Sequence, residues 1–152
     1  MKGDNHEWLA IQEGKLNMHE AKKDETLIDY YVCSNCFSRV MDCNCDHFPS
    51  GTLIYIDKGI QEHIKILRSK KYMTTSSCES HSPNGGIQIT FSRYDGIEGL
   101  ELPEGFVGQP FGTSVEFHYP KNMSTKDFKS EKKKRLAILL EWCKNLPERK
   151  EL

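Results

Sequence analysis

Apolar and polar positions trade places along this chain with changing period, and the changes mark out its elements. Leu27-Ile-Asp-Tyr-Tyr-Val32 is rich in β-formers and predicts a strand running straight into a pair of cysteines, Cys33 and Cys36. Phe48-Pro-Ser-Gly51 breaks the chain, and Thr52-Leu-Ile-Tyr-Ile56 predicts a second short strand. Beyond it Ile60, Ile64 and Leu67 recur at helical spacing with Lys65, Arg68 and Lys70 on the other side, and Asp57 stands where a helix cap would. Strands are then expected at Tyr72–Ser76 and Gly86–Ser92, flanking a polar loop from Ser77 to Gly85. In the second of them Ile87, Ile89 and Phe91 alternate with Gln88 and Thr90, so one face meets a core and the other meets water. The stretch from Tyr94 to Pro110 reads as a long irregular connection with scattered apolar anchors. Thr113–Tyr119 alternates again and predicts another strand. Ser124-Thr-Lys-Asp127 resembles a capping box, and the helix it opens buries Phe128, Leu136, Leu139, Leu140, Cys143 and Leu146 before Pro147.

These elements predict an α+β fold: a small mixed or antiparallel sheet, two main helices, and a metal-stapled turn region. The first 25 residues carry weaker signals. Trp8, Leu9, Ile11, Leu16 and Met18 sketch an amphipathic segment that Gly14 interrupts, so residues 1–25 are expected to form a loosely docked arm on a single domain spanning 26–148.

The 152-residue length suits one domain. With 37% hydrophobic and 28% charged residues, and no apolar run near the roughly 20 residues a membrane helix requires, no membrane partner is expected. The N-terminal residues Met1-Lys-Gly-Asp-Asn-His-Glu7 contain no apolar core of a leader, which points to a cytoplasmic protein with reduced thiols. The formal net charge of -1 gives no global attraction to nucleic acid. Charge is uneven, however. Between 121 and 135 Lys121, Lys126, Lys129, Lys132, Lys133, Lys134 and Arg135 face only Asp127 and Glu131, which is enough to meet phosphates and equally an ordinary solvated helix face.

Chemistry concentrates in two places. Cys33-Ser-Asn-Cys36 and Cys43-Asn-Cys45-Asp-His47 place five candidate ligands within fifteen residues. Soft thiolates at this spacing select Zn2+, and local ligands mark a closed, structural site, here a knuckle over 33–47. Cys33, Cys36, Cys43 and Cys45 are the expected ligands, with His47 as a substitute for either later cysteine. Disulfides among the six cysteines and a thioredoxin-like redox pair are the competing readings. The second place is Thr74-Thr-Ser-Ser-Cys78-Glu-Ser-His81, dense in hydroxyls with a thiol and an imidazole. Ser76, Ser77, Cys78 and His81 are candidate ligand-binding residues for a phosphate or carboxylate, and Cys78 with His81 could form a nucleophile–base pair. A plain turn is the bland alternative.

The segment from Asp57 to Phe91 resembles a group of small uncharacterised proteins of bacteria and their phages, in which a helix precedes K-G-Y-x-T, a C-x-G-H turn and an apolar strand. The upstream CxxC and Leu102-Pro-Glu-Gly-Phe106 extend the resemblance to residues 30–106. This chain departs from it at Lys71 and Ser80, where glycine is usual. Tyr72-x-Thr-Thr-Ser-Ser-Cys78 is also similar to a segment of the wyosine-pathway tRNA methyltransferases, with His81 in place of an arginine. The resemblances imply a zinc-stabilised binding protein, phage-encoded, that captures a small anionic or nucleotide ligand or a host protein. They also imply an alternative, an S-adenosylmethionine-dependent RNA methyltransferase-like enzyme with RNA as partner. An adaptor anchored by Trp8 would instead bind only protein.

Overall fold

A computed structural model describes residues 30–45, 53–93 and 96–149; the expected N-terminal arm and His47 lie outside the described residues. Its elements are β1 (Tyr31–Cys33), β2 (Leu53–Tyr55), α1 (Gln61–Ser69), β3 (Thr74–Cys78), β4 (Ile87–Phe91), β5 (Val107–Gly108), β6 (Ser114–Phe117) and α2 (Thr125–Asn145). Among the described residues two helices and two antiparallel sheets make an α+β fold. The chain divides into two compact units, one up to Gln61 and one from Glu62 onward.

In the first unit β1 and β2 pair antiparallel, with Val32 opposite Ile54 and Cys33 opposite Leu53. Tyr31, Cys33, Val40 and Leu53 form its core, and Cys36, Cys43, Cys45 and Tyr55 pack against them. The sulfur residues are thus part of the apolar centre of this unit. A 3-10 turn at Val40–Asp42 carries the chain from the first cysteine pair to the second.

In the second unit β3, β4, β6 and β5 lie in that order, all antiparallel. Ile87, Ile89 and Phe91 are buried, as their alternation requires, and Val115 and Phe117 of β6 join them. Helix α1 begins at Gln61, one 3-10 turn later than expected. Asp57 holds that turn with its backbone carbonyl, which accepts from the Ile60 amide at 3.0 Å, and its side chain makes no capping bond. The end of α1 is a Schellman closure: Tyr72 N donates to Leu67 O at 3.0 Å and Lys71 N to Arg68 O at 3.0 Å. Lys71 is the left-handed residue of that closure, with φ of 72°, where glycine is favoured. Helix α2 starts as expected, with the Ser124 hydroxyl accepting from Asp127 N at 3.1 Å. It buries Phe128, Leu139, Cys143 and Leu146, whereas Leu136 and Leu140 are half-buried.

Two stretches differ from the sequence expectation. Strand β3 runs to Cys78, so Ser77 and Cys78, expected in a loop, stand with Ser76 on a sheet edge. Val107–Gly108, inside the expected irregular connection, pairs with β6 at Glu116 and Val115. A two-residue strand is too short to leave a periodic signal.

Candidate metal centre and thiol–imidazole edge

The first cysteine turn is built by backbone bonds. Phe37 N donates to Cys33 O at 2.8 Å and Cys33 N donates to Ser38 O at 2.9 Å, which folds Cys33-Ser-Asn-Cys36 back on itself. Closing it places Phe37 at φ 57°, a left-handed conformation that costs a side-chain-bearing residue about 1–3 kcal/mol. Burial of its ring, 7% exposed, helps to offset that cost.

The outcome is a convergence of four sulfurs. The Sγ atoms of Cys33, Cys36, Cys43 and Cys45 all lie within 4.8 Å of one another, a separation that one metal ion can bridge. No disulfide joins the described cysteines, so the disulfide reading finds no support here. N–H groups aim at these sulfurs, among them Asn35 N to Cys33 at 3.3 Å, Asn35 Nδ2 to Cys45 at 3.2 Å, and Cys45 N to Cys43 at 3.4 Å. Such donors stabilise thiolates, the form in which cysteine binds metal.

Electrostatics at the cluster is divided. Burial works against ionisation of Cys36, yet hydrogen bonds from the Ser38 hydroxyl and amide bring its thiol down to about 7. Burial pushes the Cys43 thiol up to about 12, and the neighbouring sulfurs of Cys33, Cys36 and Cys45 add to the rise. Cys33 is raised by burial as well. Four adjacent sulfurs do not all ionise by themselves. A cation held there would supply the missing positive charge and displace their protons.

In the second unit the sequence-expected ligand residues fall into two groups. Ser76 is exposed, and its hydroxyl shares a hydrogen bond with Thr90 Oγ1 at 2.5 Å, beside a Thr75–Thr90 bond of 2.8 Å, so it completes a hydroxyl ladder on the sheet face. Ser77 is half-buried within β3. Cys78, half-buried, and His81, exposed, do come together, with the sulfur and an imidazole nitrogen within 4.8 Å. The turn between them is pinned by Ser80, fully buried at φ 79°, whose hydroxyl donates to Ser82 O at 3.1 Å and also bonds Gly85 O. Those bonds hold a serine where the turn geometry favours glycine. Ser80 N points at Cys78 Sγ, 3.4 Å away. Glu79 is tied to Lys132 of α2 at 2.9 Å, which anchors the turn to the helix.

The basic run is partly spent inside the fold. Besides Lys132, Arg135 bonds Glu131 at 3.1 Å and Glu104 O at 3.0 Å and lies 4.6 Å over the Phe117 ring.

One polar cluster escaped the sequence reading. Glu116, 7% exposed in the middle of β6, accepts from Ser114 Oγ at 2.6 Å and Gln109 Nε2 at 3.0 Å, and its other oxygen meets His118 Nε2 at 3.0 Å. The Ser114 hydroxyl, outweighing burial, together with Gln109 and His118 holds the carboxyl below its ordinary value. The signal was the alternation Ser114-x-Glu116-x-His118, which places three polar residues on one strand face.

Fold and site together define a small α+β protein with a four-cysteine cluster at metal-binding distance. No family model, curated protein or solved structure matches the chain. Among the described residues no helix is long and apolar enough to cross a membrane.

Proposed function

We propose that Cys33, Cys36, Cys43 and Cys45 hold one structural Zn2+ and that the chain is a cytoplasmic, zinc-stabilised binding protein, phage-encoded like the proteins it resembles. It captures a small anionic ligand at the edge formed by Ser76, Ser77, Cys78 and His81. The observation that carries the metal half is the convergence of four sulfurs within 4.8 Å. Tetrahedral zinc with bonds of about 2.3 Å separates its sulfurs by about 3.8 Å, and an all-thiolate set favours zinc over magnesium or calcium. Four protein ligands leave no open position, so the ion's role is to fold the first unit, not to activate water.

The ligand half rests on Cys78 and His81. The imidazole, the thiol and the Ser77 hydroxyl supply short-range donors at this sheet edge. The RNA-methyltransferase alternative needs a basic face, and two of its cations, Lys132 and Arg135, are engaged within the fold.

The test is a titration of the purified protein with inorganic phosphate, sulfate and a nucleoside monophosphate, followed by amide NMR. Shifts at Ser77, Cys78 and His81 that vanish in His81→Ala, with the rest of the spectrum unchanged, are expected. Absence of shifts with all three anions refutes the ligand half and leaves the zinc half standing.

A further inference from the structure

The other edge of the four-stranded sheet carries a cleft of about 210 Å³, walled by Ile97, Leu100 and Leu102 and floored by Gln109 and Ser114, with Glu98 at the wall. That volume equals about seven waters at roughly 30 Å³ each, room for a compact organic molecule. Its walls are held apart and together by specific contacts. Ile97 N donates to Gly112 O at 3.0 Å and Leu100 N to Ile97 O at 3.1 Å, which fixes the turn over the cleft. A Cβ at Gly112 would lie 2.1 Å from Glu98 N, and one at Gly108 would lie 3.2 Å from Leu102 Cδ1, so glycine at both positions permits the close approach. The cleft is therefore preformed and does not need a ligand to open it.

The floor is rich in acceptors. Ionised Glu116 only accepts, so the Ser114 proton at 2.6 Å and one of the two Gln109 amide N–H groups, at 3.0 Å, are committed to it. The lone pairs of the Ser114 hydroxyl and the Gln109 carbonyl oxygen remain, beside the second Gln109 N–H. The Glu98 carboxylate adds a further acceptor, and Glu116 places a negative charge immediately behind the floor. No cationic side chain lines the cleft. Acceptors, negative charge and apolar walls together select a donor-rich cation with a hydrophobic body.

We propose that this cleft binds a small organic ammonium ion, a primary amine on an apolar or aromatic body, with its N–H groups on Gln109 Oε1, Ser114 Oγ and Glu98. This site is separate from the anion-binding edge, which lies on β3 at the opposite side of the sheet. Benzylamine is the probe, compared at pH 7 with benzyl alcohol and benzoate, which share its ring and differ in charge. Amide NMR on the full chain reads Gly99, Gly108 and Gly112, glycines that line the cleft. Saturable shifts with benzylamine are expected, with at least tenfold weaker binding of benzyl alcohol and none of benzoate. Gln109 is exposed, so Gln109→Met should fold normally while weakening benzylamine about tenfold, the loss of one hydrogen bond to a charged group. No shifts with benzylamine up to its solubility, equal affinity for benzoate or benzyl alcohol, or an unaffected Gln109→Met variant would each overturn the proposal.

Discussion

Lys70→Met should destabilise the second unit by about 2 kcal/mol, because a single ammonium closes the C-terminus of the longest helix. Lys70 Nζ lies 3.0 Å from Cys143 O, 2.5 Å from Lys144 O and 2.7 Å from Leu146 O, carbonyls at and just beyond the end of α2, where Cys143 O also accepts from Leu146 N at 3.4 Å. A hydrogen bond to a charged group contributes about 1.5–3 kcal/mol when it stands alone. Three bonds from one ammonium do not add, since the same group would hold three waters in the unfolded chain and the carbonyls are partly wet. The favourable position at the negative end of the helix dipole contributes up to about 1 kcal/mol within that figure. Two contacts close by make the cap cooperative: Tyr72 OH donates to Pro147 O at 2.6 Å, and Arg149 N to Lys70 O at 2.9 Å. The assay is urea unfolding read by Trp142 fluorescence in a Trp8→Phe background. Trp142 sits on α2 with its indole N–H on Glu101 O at 2.7 Å, so its emission reports on this unit. Lys71→Met is the control. It removes an equal charge, and the 3.5 Å pair with Glu148 is solvent-exposed, so losing that pair should cost under about 0.5 kcal/mol. A Lys70→Met protein within about 0.5 kcal/mol of the parent, or a Lys71→Met protein losing as much, would refute the capping argument.

Three further outcomes follow from the same packing. His63 is 4% exposed, with Nε2 donating to Leu136 O at 2.8 Å and no partner for Nδ1 among the described residues, and burial lowers its pKa from the ordinary 6.5. The unfolded chain therefore takes up the proton first, so stability present above pH 6.5 should fall as pH drops below it, and His63→Leu should flatten that slope in urea midpoints. Lys71→Gly should stabilise the protein by about 0.5 kcal/mol, because relief of a left-handed lysine exceeds the added chain entropy of glycine; a lower thermal midpoint would contradict this. Cys78→Ser should leave the circular dichroism spectrum and thermal midpoint within about 0.5 kcal/mol of the parent, since the half-buried thiol is not part of a core, and unfolding of this variant would make the turn structural instead.

What could be read from the chain depended on whether the determining force left a periodic or compositional trace. The alternation of Ile87, Ile89 and Phe91 did, as did the Ser124 cap and the spacing of the four-cysteine cluster, and all three stand in the structure where expected. Left-handed backbone at Phe37, Lys71 and Ser80 did not, because tertiary bonds impose it on residues that give no sign of it. The resemblance drawn from the sequence marks Lys71 and Ser80 as places where glycine would be usual, and both have positive φ, 72° and 79°, the conformation glycine suits. The Glu116 cluster stayed hidden because an acidic residue in an alternating strand reads as solvent-facing until both flanks are seen to be covered.

The account stands or falls on the ion. Native and denaturing mass spectra of protein purified without chelator or added metal should differ by one zinc per chain, and removing it should melt the first unit, since binding energy at such a site is folding energy. A native mass equal to the bare chain, with Cys36→Ser unfolding at the parent's temperature, would contradict it.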